Sequence, residues 1–147
     1  LVVDTFSKSD EEVRDGMDIA LIKLSKTGTK LTYAGANNSC YIVRNGELIE
    51  IKPDKQPIGR YDIQRPFETK THELAQQDSI FLTSDGYPDQ FGGPKGKKFK
   101  SANFKKLLTQ IAHNRIDEQN QILNSTLDEW KSDFEQADDI CVFGVKV

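Results

Sequence analysis

Apolar residues along this chain gather in short runs separated by polar breaks, and most runs are too short for helices. Residues 16–24, "GMDIALIKL", are dominated by apolar side chains with no stop before Thr27-Gly28, and predict a strand. Residues 30–35, "KLTYAG", predict a second strand, paired with the first as a hairpin through Thr27-Gly28. The strongest local pattern is 40–51, "CYIVRNGELIEI", where Asn45-Gly46 suits a type I′ turn, whose two central residues need positive φ. Residues 66–74, "PFETKTHEL", alternate as a half-exposed strand does. The almost wholly apolar "SIFLTS", 79–84, predicts a central strand, and "ICVFGVKV", 140–147, predicts the last. "KQPIGRY", 55–61, has Pro and Gly flanking one apolar residue and predicts a turn.

Helical signals are fewer. Residues 7–14, "SKSDEEVR", begin with cap-forming serines and three acids suited to a first turn, and predict a short helix. In 101–113, Phe104, Leu107, Leu108 and Ile111 fall at helical spacing behind Ser101 as cap. In 117–133, Ile122, Leu123, Leu127, Trp130 and Phe134 form a second stripe behind Asp117 as cap. Both stripes predict core-facing helices. Strands joined mostly by hairpins, then two helices, then a final strand define an α+β chain with largely antiparallel sheet. A doubly wound fold would alternate helix and strand throughout.

A length of 147 residues suits one domain able to bury a core without disulfides or structural metal. A net charge of -3 gives no bias toward nucleic acid or an anionic membrane. No run is long enough to span a bilayer and no signal-like start is present, so a cytoplasmic setting is expected. The first residue is Leu1, not Met, which points to the interior of a longer protein. Cys40 and Cys141 each lie in a strand-like run with no C-x-x-C, and are expected to be buried, reduced thiols.

The stretch "TSDGYPDQFGG", 83–93, ends an apolar run on an acid, so Asp85 is delivered at a strand end. Asp138 and Asp139 of "ADDI" stand at the start of the last strand. If 79–83 and 140–146 pair antiparallel, Asp85 converges with Asp138 or Asp139. Clustered carboxylates repel unless a proton or cation sits between them. Hard oxygen donors suit Mg²⁺ or Mn²⁺, and two such ions can activate a water for attack at phosphorus. The same residues also fit a plain Asp-Gly turn and a solvated loop. Asp89, four residues after Asp85, shares its face if the chain coils after Gly86, either as an extra or outer ligand or as a surface acid. The Gly-rich, basic "GGPKGKKFK", 92–100, is not a phosphate loop, because Phe91 and Lys98 stand where that pattern needs Gly and Ser or Thr. Its Lys95, Lys97, Lys98 and Lys100 suit steering of a phosphorylated partner or a solvated loop. Asn37 and Asn38 of "YAGANNS" suit either ligand binding or a tight turn.

Taken in chain order, "DGMDIALIKL", "LTYAGANNSCYIVRNGELIEI", "KQPIG", "FLTSDGYPDQFGG" and "DDICVFGVKV" resemble the metal-dependent protein serine/threonine phosphatases of type 2C. Within them the chain most resembles the bacterial branch named after the sporulation stage II protein E. The resemblance implies two packed, mainly antiparallel sheets flanked by helices, and hydrolysis of phosphoserine or phosphothreonine on a protein with two Mn²⁺ or Mg²⁺ ions. It implies Asp85 and Asp138 as metal ligands, Gly86 as backbone at the site, and Asp89 and Asp139 as outer or additional ligands. It also implies a phosphoprotein substrate resembling the anti-sigma-antagonist proteins of bacterial partner-switching pathways, and a parent that other domains can anchor to a membrane.

Such domains open with strands carrying an Asp and an Asp-Gly before a helix of small residues. Residues 1–15 lack these, and neither Asp4 nor Asp15 has Gly-rich surroundings. The chain thus resembles roughly the C-terminal two-thirds to three-quarters of the domain, without its N-terminal strands. Alone, it is expected to be inactive, to bind metal poorly and to carry a sheet edge open to self-association. The alternative is a metal-free phosphatase-like module that binds a regulatory protein.

Overall fold

The computed structural model describes residues 16–59 and 65–147; the short helix expected over 7–14 lies outside them. Strands β1 (Gly16–Met17), β2 (Ile19–Leu24), β3 (Lys30–Ala36), β4 (Cys40–Arg44), β5 (Glu47–Ile51), β6 (Ile58–Gly59), β7 (Lys70–Glu73) and β8 (Ser79–Thr83) come first. A one-turn helix α1 (Gly86–Asp89), strands β9 (Phe91–Gly92) and β10 (Lys97–Lys98), helices α2 (Ser101–Ile111) and α3 (Ile116–Lys131), and strand β11 (Val142–Lys146) follow. A four-stranded sheet in the order β11-β8-β4-β5 and a three-stranded sheet β2-β3-β7 form the sandwich, with small pairs β1-β6 and β9-β10 beside them. Among the described residues the strand pairs are antiparallel, with one isolated parallel bridge between Ala36 and Asp54.

Alternation along β4 and β8 builds both cores. Cys40, Ile42 and Ile80 cluster with Leu31, Tyr33, Ile51 and Leu74 between the sheets. Tyr41, Val43 and Phe81 cluster with Phe104, Leu107, Leu108, Ile111 and Leu123 of the helices. The predicted stripe of α2 is buried in full. In α3, Leu123 is buried and Ile122, Leu127 and Trp130 pack against the same cluster. Phe134 lies past the end of α3 and is exposed, because the chain turns at Ser132, φ 47°.

The type I′ hairpin is present, with Asn45 at φ 51° and Gly46 at φ 79°. Other expectations change. The 16–24 run breaks at Asp18 so that β1 can pair with β6, which makes part of the predicted 55–61 turn a strand. The 66–74 strand shortens to Lys70–Glu73. The basic 92–100 stretch is the β9-β10 hairpin, not a loop. Helix α2 is capped at Lys100, φ 76°, rather than Ser101, because Lys100 N donates to Pro88 O at 2.7 Å and fixes the chain there. Helix α3 is capped at Arg115, whose N–H bonds Glu118 Oε2; Asp117 lies inside the first turn and pairs with the Arg115 guanidinium. Cys40 is buried, which pushes its thiol up to about 12, but Cys141 is exposed, just ahead of β11.

Asp78 is fully buried before β8, where Arg44 reaches it through two bonds, Nε to Oδ1 at 2.9 Å and Nη2 to Oδ2 at 2.7 Å. Burial alone would raise its pKa. The Arg44 bonds and the Ala75 N–H outweigh that and hold the carboxyl below the usual range. A depressed carboxylate gives stability that is complete above the unfolded pKa and is lost as pH falls through the folded one. The urea midpoint should therefore drop as the pH falls below about 4, and Asp78→Asn should lower stability at pH 7 and flatten that acid-side decline. An unchanged acid slope in the variant would place the acid-sensitive group elsewhere.

Candidate active site

The expected pairing of the acid-bearing strands is present, with Val142 opposite Thr83 and Lys146 opposite Ser79. Beyond the ladder, Ser84 continues it. Ser84 N donates to Cys141 O at 3.0 Å. Its hydroxyl accepts from Cys141 N at 2.9 Å and donates to Asp139 O at 2.9 Å. Gly86 then lies against the Asp139 backbone: a Cβ there would stand 2.5 Å from Asp139 O and 3.0 Å from the Ile140 side chain. Asp85 and the Asp138-Asp139 pair are thus held at one end of the sheet. Gly86→Ala must push the two segments apart and should cost about 1–3 kcal/mol, read as a lowered urea midpoint. An unchanged midpoint would show that the segment yields freely.

Asp85 occupies the N-cap position of α1 but makes no side-chain capping bond, although caps are the usual role of an Asp there. Its exposed carboxylate has no hydrogen-bond or ion-pair partner among the described residues. Asp138 accepts the Asp139 N–H at Oδ1, 2.7 Å, and both side chains are exposed. Asp89 follows one turn after Asp85, its N–H donating to Asp85 O at 3.0 Å. Its Oδ2 lies 2.7 Å from Lys98 Nζ, so Asp89 is paired and Lys98 is engaged, while Lys95 and Lys97 are exposed.

Two residues support this end: Gln90, which the sequence did not mark, and Trp130, which it marked only as part of a helical stripe. Gln90 is fully buried; its amide donates to Glu135 O at 2.9 Å and accepts from Ala137 N at 3.4 Å, joining α1 to the segment that leads into Asp138. Trp130 donates its indole N–H to Gln90 O at 3.0 Å and stacks edge-on to Phe99 with centroids 5.3 Å apart. Gly93 N donates to Trp130 O at 2.8 Å, and any side chain on Gly92 would overlap that same oxygen. No spacing rule in the sequence marks such side-chain-to-backbone links.

The register of β4 on β8, Cys40 opposite Leu82, places the 37–39 turn at the same end of the sheet. Asn37 there has φ 59°, donates from N to Asp54 O and from Nδ2 to Asp18 Oδ1, and so shapes the turn. Tyr33 Oη donates to Asn38 O at 2.6 Å and holds the turn from below.

Asp85 and Asp138 are oxygen donors of the kind Mn²⁺ and Mg²⁺ take. Among the described residues no group of three or more His, Cys, Asp or Glu is placed to hold an ion.

The sandwich has the fold of the PP2C phosphatases. The chain belongs to the stage II sporulation protein E (SpoIIE) family, whose sequence profile matches residues 4–147. No curated protein matches it. Among solved structures it is similar to the SiaA-PP2C domain of Pseudomonas aeruginosa, with 28% identity and a TM-score of 0.80 over 88% of this chain and 51% of that one. It is similar to the phosphatase domain of SpoIIE from Bacillus subtilis, with 18% identity and a TM-score of 0.66 over 99% of this chain and 62% of that one. It is also similar to the RsbU and RsbW domains of Rv1364c from Mycobacterium tuberculosis, with 19% identity and a TM-score of 0.68 over 88% of this chain and 35% of that one. The chain therefore spans about half the length of the SiaA domain.

Proposed function

We propose that this chain is part of a cytoplasmic, metal-dependent protein serine/threonine phosphatase that acts on a phosphoprotein in a bacterial partner-switching pathway. The observation that carries the reading is Asp85: an acid at a helix N-cap that caps nothing, set between Ser84 and Gly86, which both lie against the Asp139 backbone. Membership of the SpoIIE family and likeness to the SiaA and RsbU phosphatase structures support it. Asp85 and Asp138 would hold Mn²⁺ or Mg²⁺ together with donors outside the described residues, with Asp139 adjacent. Such an ion, when bound, lowers the pKa of its water and balances charge at the phosphoryl oxygens. Ser84 and Gly86 set the spacing of the two acid-bearing segments. Lys95 and Lys97 add positive charge that attracts a phosphorylated chain. The 147-residue chain alone should release no phosphate.

The test is phosphate release from a phosphoserine peptide by the full-length protein. Release that needs Mn²⁺ or Mg²⁺ and stops with chelator is expected. Release no greater than that of Asp85→Asn would overturn the reading and favour a metal-free binding module.

A further inference from the structure

We propose that Lys98 is a built-in cation for Asp89, withholding that carboxylate from a metal ion and tying the β9-β10 hairpin to α1. The inference rests on the metal-dependent reading above. By position, one helical turn after Asp85, Asp89 is suited to serve as an additional ligand. In the structure it is already engaged, its Oδ2 2.7 Å from Lys98 Nζ.

The backbone delivers Lys98 to this position. Lys98 sits opposite Phe91 across the hairpin, and its ammonium lies 5.9 Å from the Phe91 ring centroid, where the ring face attracts it as well. The hairpin is anchored on both sides. Gly93 N bonds Trp130 O at 2.8 Å, Phe99 N bonds Gln90 O at 2.9 Å, and Lys100 N bonds Pro88 O at 2.7 Å. Lys98 is therefore not one of several interchangeable lysines in a loop.

An ammonium and a divalent ion compete for one carboxylate, since each repels the other at that distance. Both side chains are 46% exposed, so the pair is weak and the competition is graded. Lys98 should lower the affinity of an ion at Asp89 by up to about fivefold, not exclude it. Uptake of an ion at Asp89 and release of the Lys98 ammonium from that carboxylate then become one event, with the hairpin backbone still anchored. Lys98 acts as a positioning residue in this scheme.

The experiment is Mn²⁺ titration of the full-length protein, with free ion followed by electron paramagnetic resonance. Lys98→Met should tighten the weakest Mn²⁺ constant about threefold to fivefold. Adding Asp89→Asn to that variant should remove the gain, and Lys98→Arg should bind as the parent does. Asp89→Asn alone should change little. The proposal is overturned if Lys98→Met leaves every constant unchanged, or if Asp89→Asn alone weakens binding as much as Asp85→Asn does. Asp85→Asn also separates the two readings. If it leaves Mn²⁺ binding intact, the metal-dependent reading fails; if only the Lys98 effect is missing, that reading stands and this proposal falls.

Discussion

An Asp85→Asn protein is expected to fold and melt as its parent does while releasing phosphate at least about 100-fold more slowly. The stability half of that result follows from the surroundings of Asp85. Its side chain is exposed and makes no capping bond, so the near-isosteric amide breaks nothing that holds the fold. The activity half follows from charge. Altering groups that merely orient metal ligands already costs about 10–100-fold. Removing a ligand's negative charge should cost more, and 100-fold corresponds to about 2.7 kcal/mol of lost transition-state stabilisation. A rate close to the parent's at saturating Mn²⁺ would refute the assignment. A fall in rate accompanied by an equal loss of stability would make Asp85 a structural residue.

Replacing Tyr87 has the largest expected effect on stability. Tyr87 is fully buried two residues past Asp85, edge-on to Phe99 at 5.3 Å and tilted against Phe104 at 4.8 Å between centroids. Its hydroxyl donates to Leu123 O at 2.8 Å, and burial raises its pKa, so it stays protonated as a donor. Tyr87→Ala should cost about 3–5 kcal/mol, or roughly 10 °C in melting temperature for a chain of this size. Tyr87→Phe keeps the ring and loses one hydrogen bond, at about 1 kcal/mol. Similar melts for the two variants would mean that the hydroxyl, not the ring, is what matters. The alanine variant should also loosen the acid end of the sheet, because α1 reaches the core through this side chain.

Much of the sandwich was legible in the sequence because its signals are local. Asn45-Gly46 between two apolar runs has essentially one good conformation, and the apolar run at 79–84 marks the interior strand β8, whereas 140–147 supplies the edge strand β11 with Phe143 exposed. The α2 stripe is periodic over its whole length. The missed features have no such periodicity. The β1-β6 and β9-β10 pairs span two residues on each strand and depend on what lies beneath them, Pro57 against Gly16 in the first and Trp130 against Gly92 in the second. The cap of α2 fell on Lys100 because a tertiary bond to Pro88 fixes the chain there, and that of α3 on Arg115 because its N–H is bonded by Glu118 in a local capping box. Phe134 kept the spacing of its stripe but lay beyond the end of the helix. At the site, the approach of the Ser84–Gly86 segment to the Asp139 backbone could be argued from strand pairing. The Lys98–Asp89 pair could not, since it needs a hairpin where the sequence showed only a basic stretch.

The two hydrogen bonds of the Ser84 hydroxyl have a consequence for how the molecule is assembled. They join residues 55 and 57 positions apart, and the β8-β11 ladder closes a loop of similar length. Contacts so distant in sequence form late in folding, because the chain must lose the entropy of the intervening loop first. The β2-β3 and β4-β5 hairpins need no such search. During synthesis the central strand β8 must wait, with one edge open, until α2 and α3 have been made and β11 arrives. On that account the acid-bearing end closes after the two hairpins.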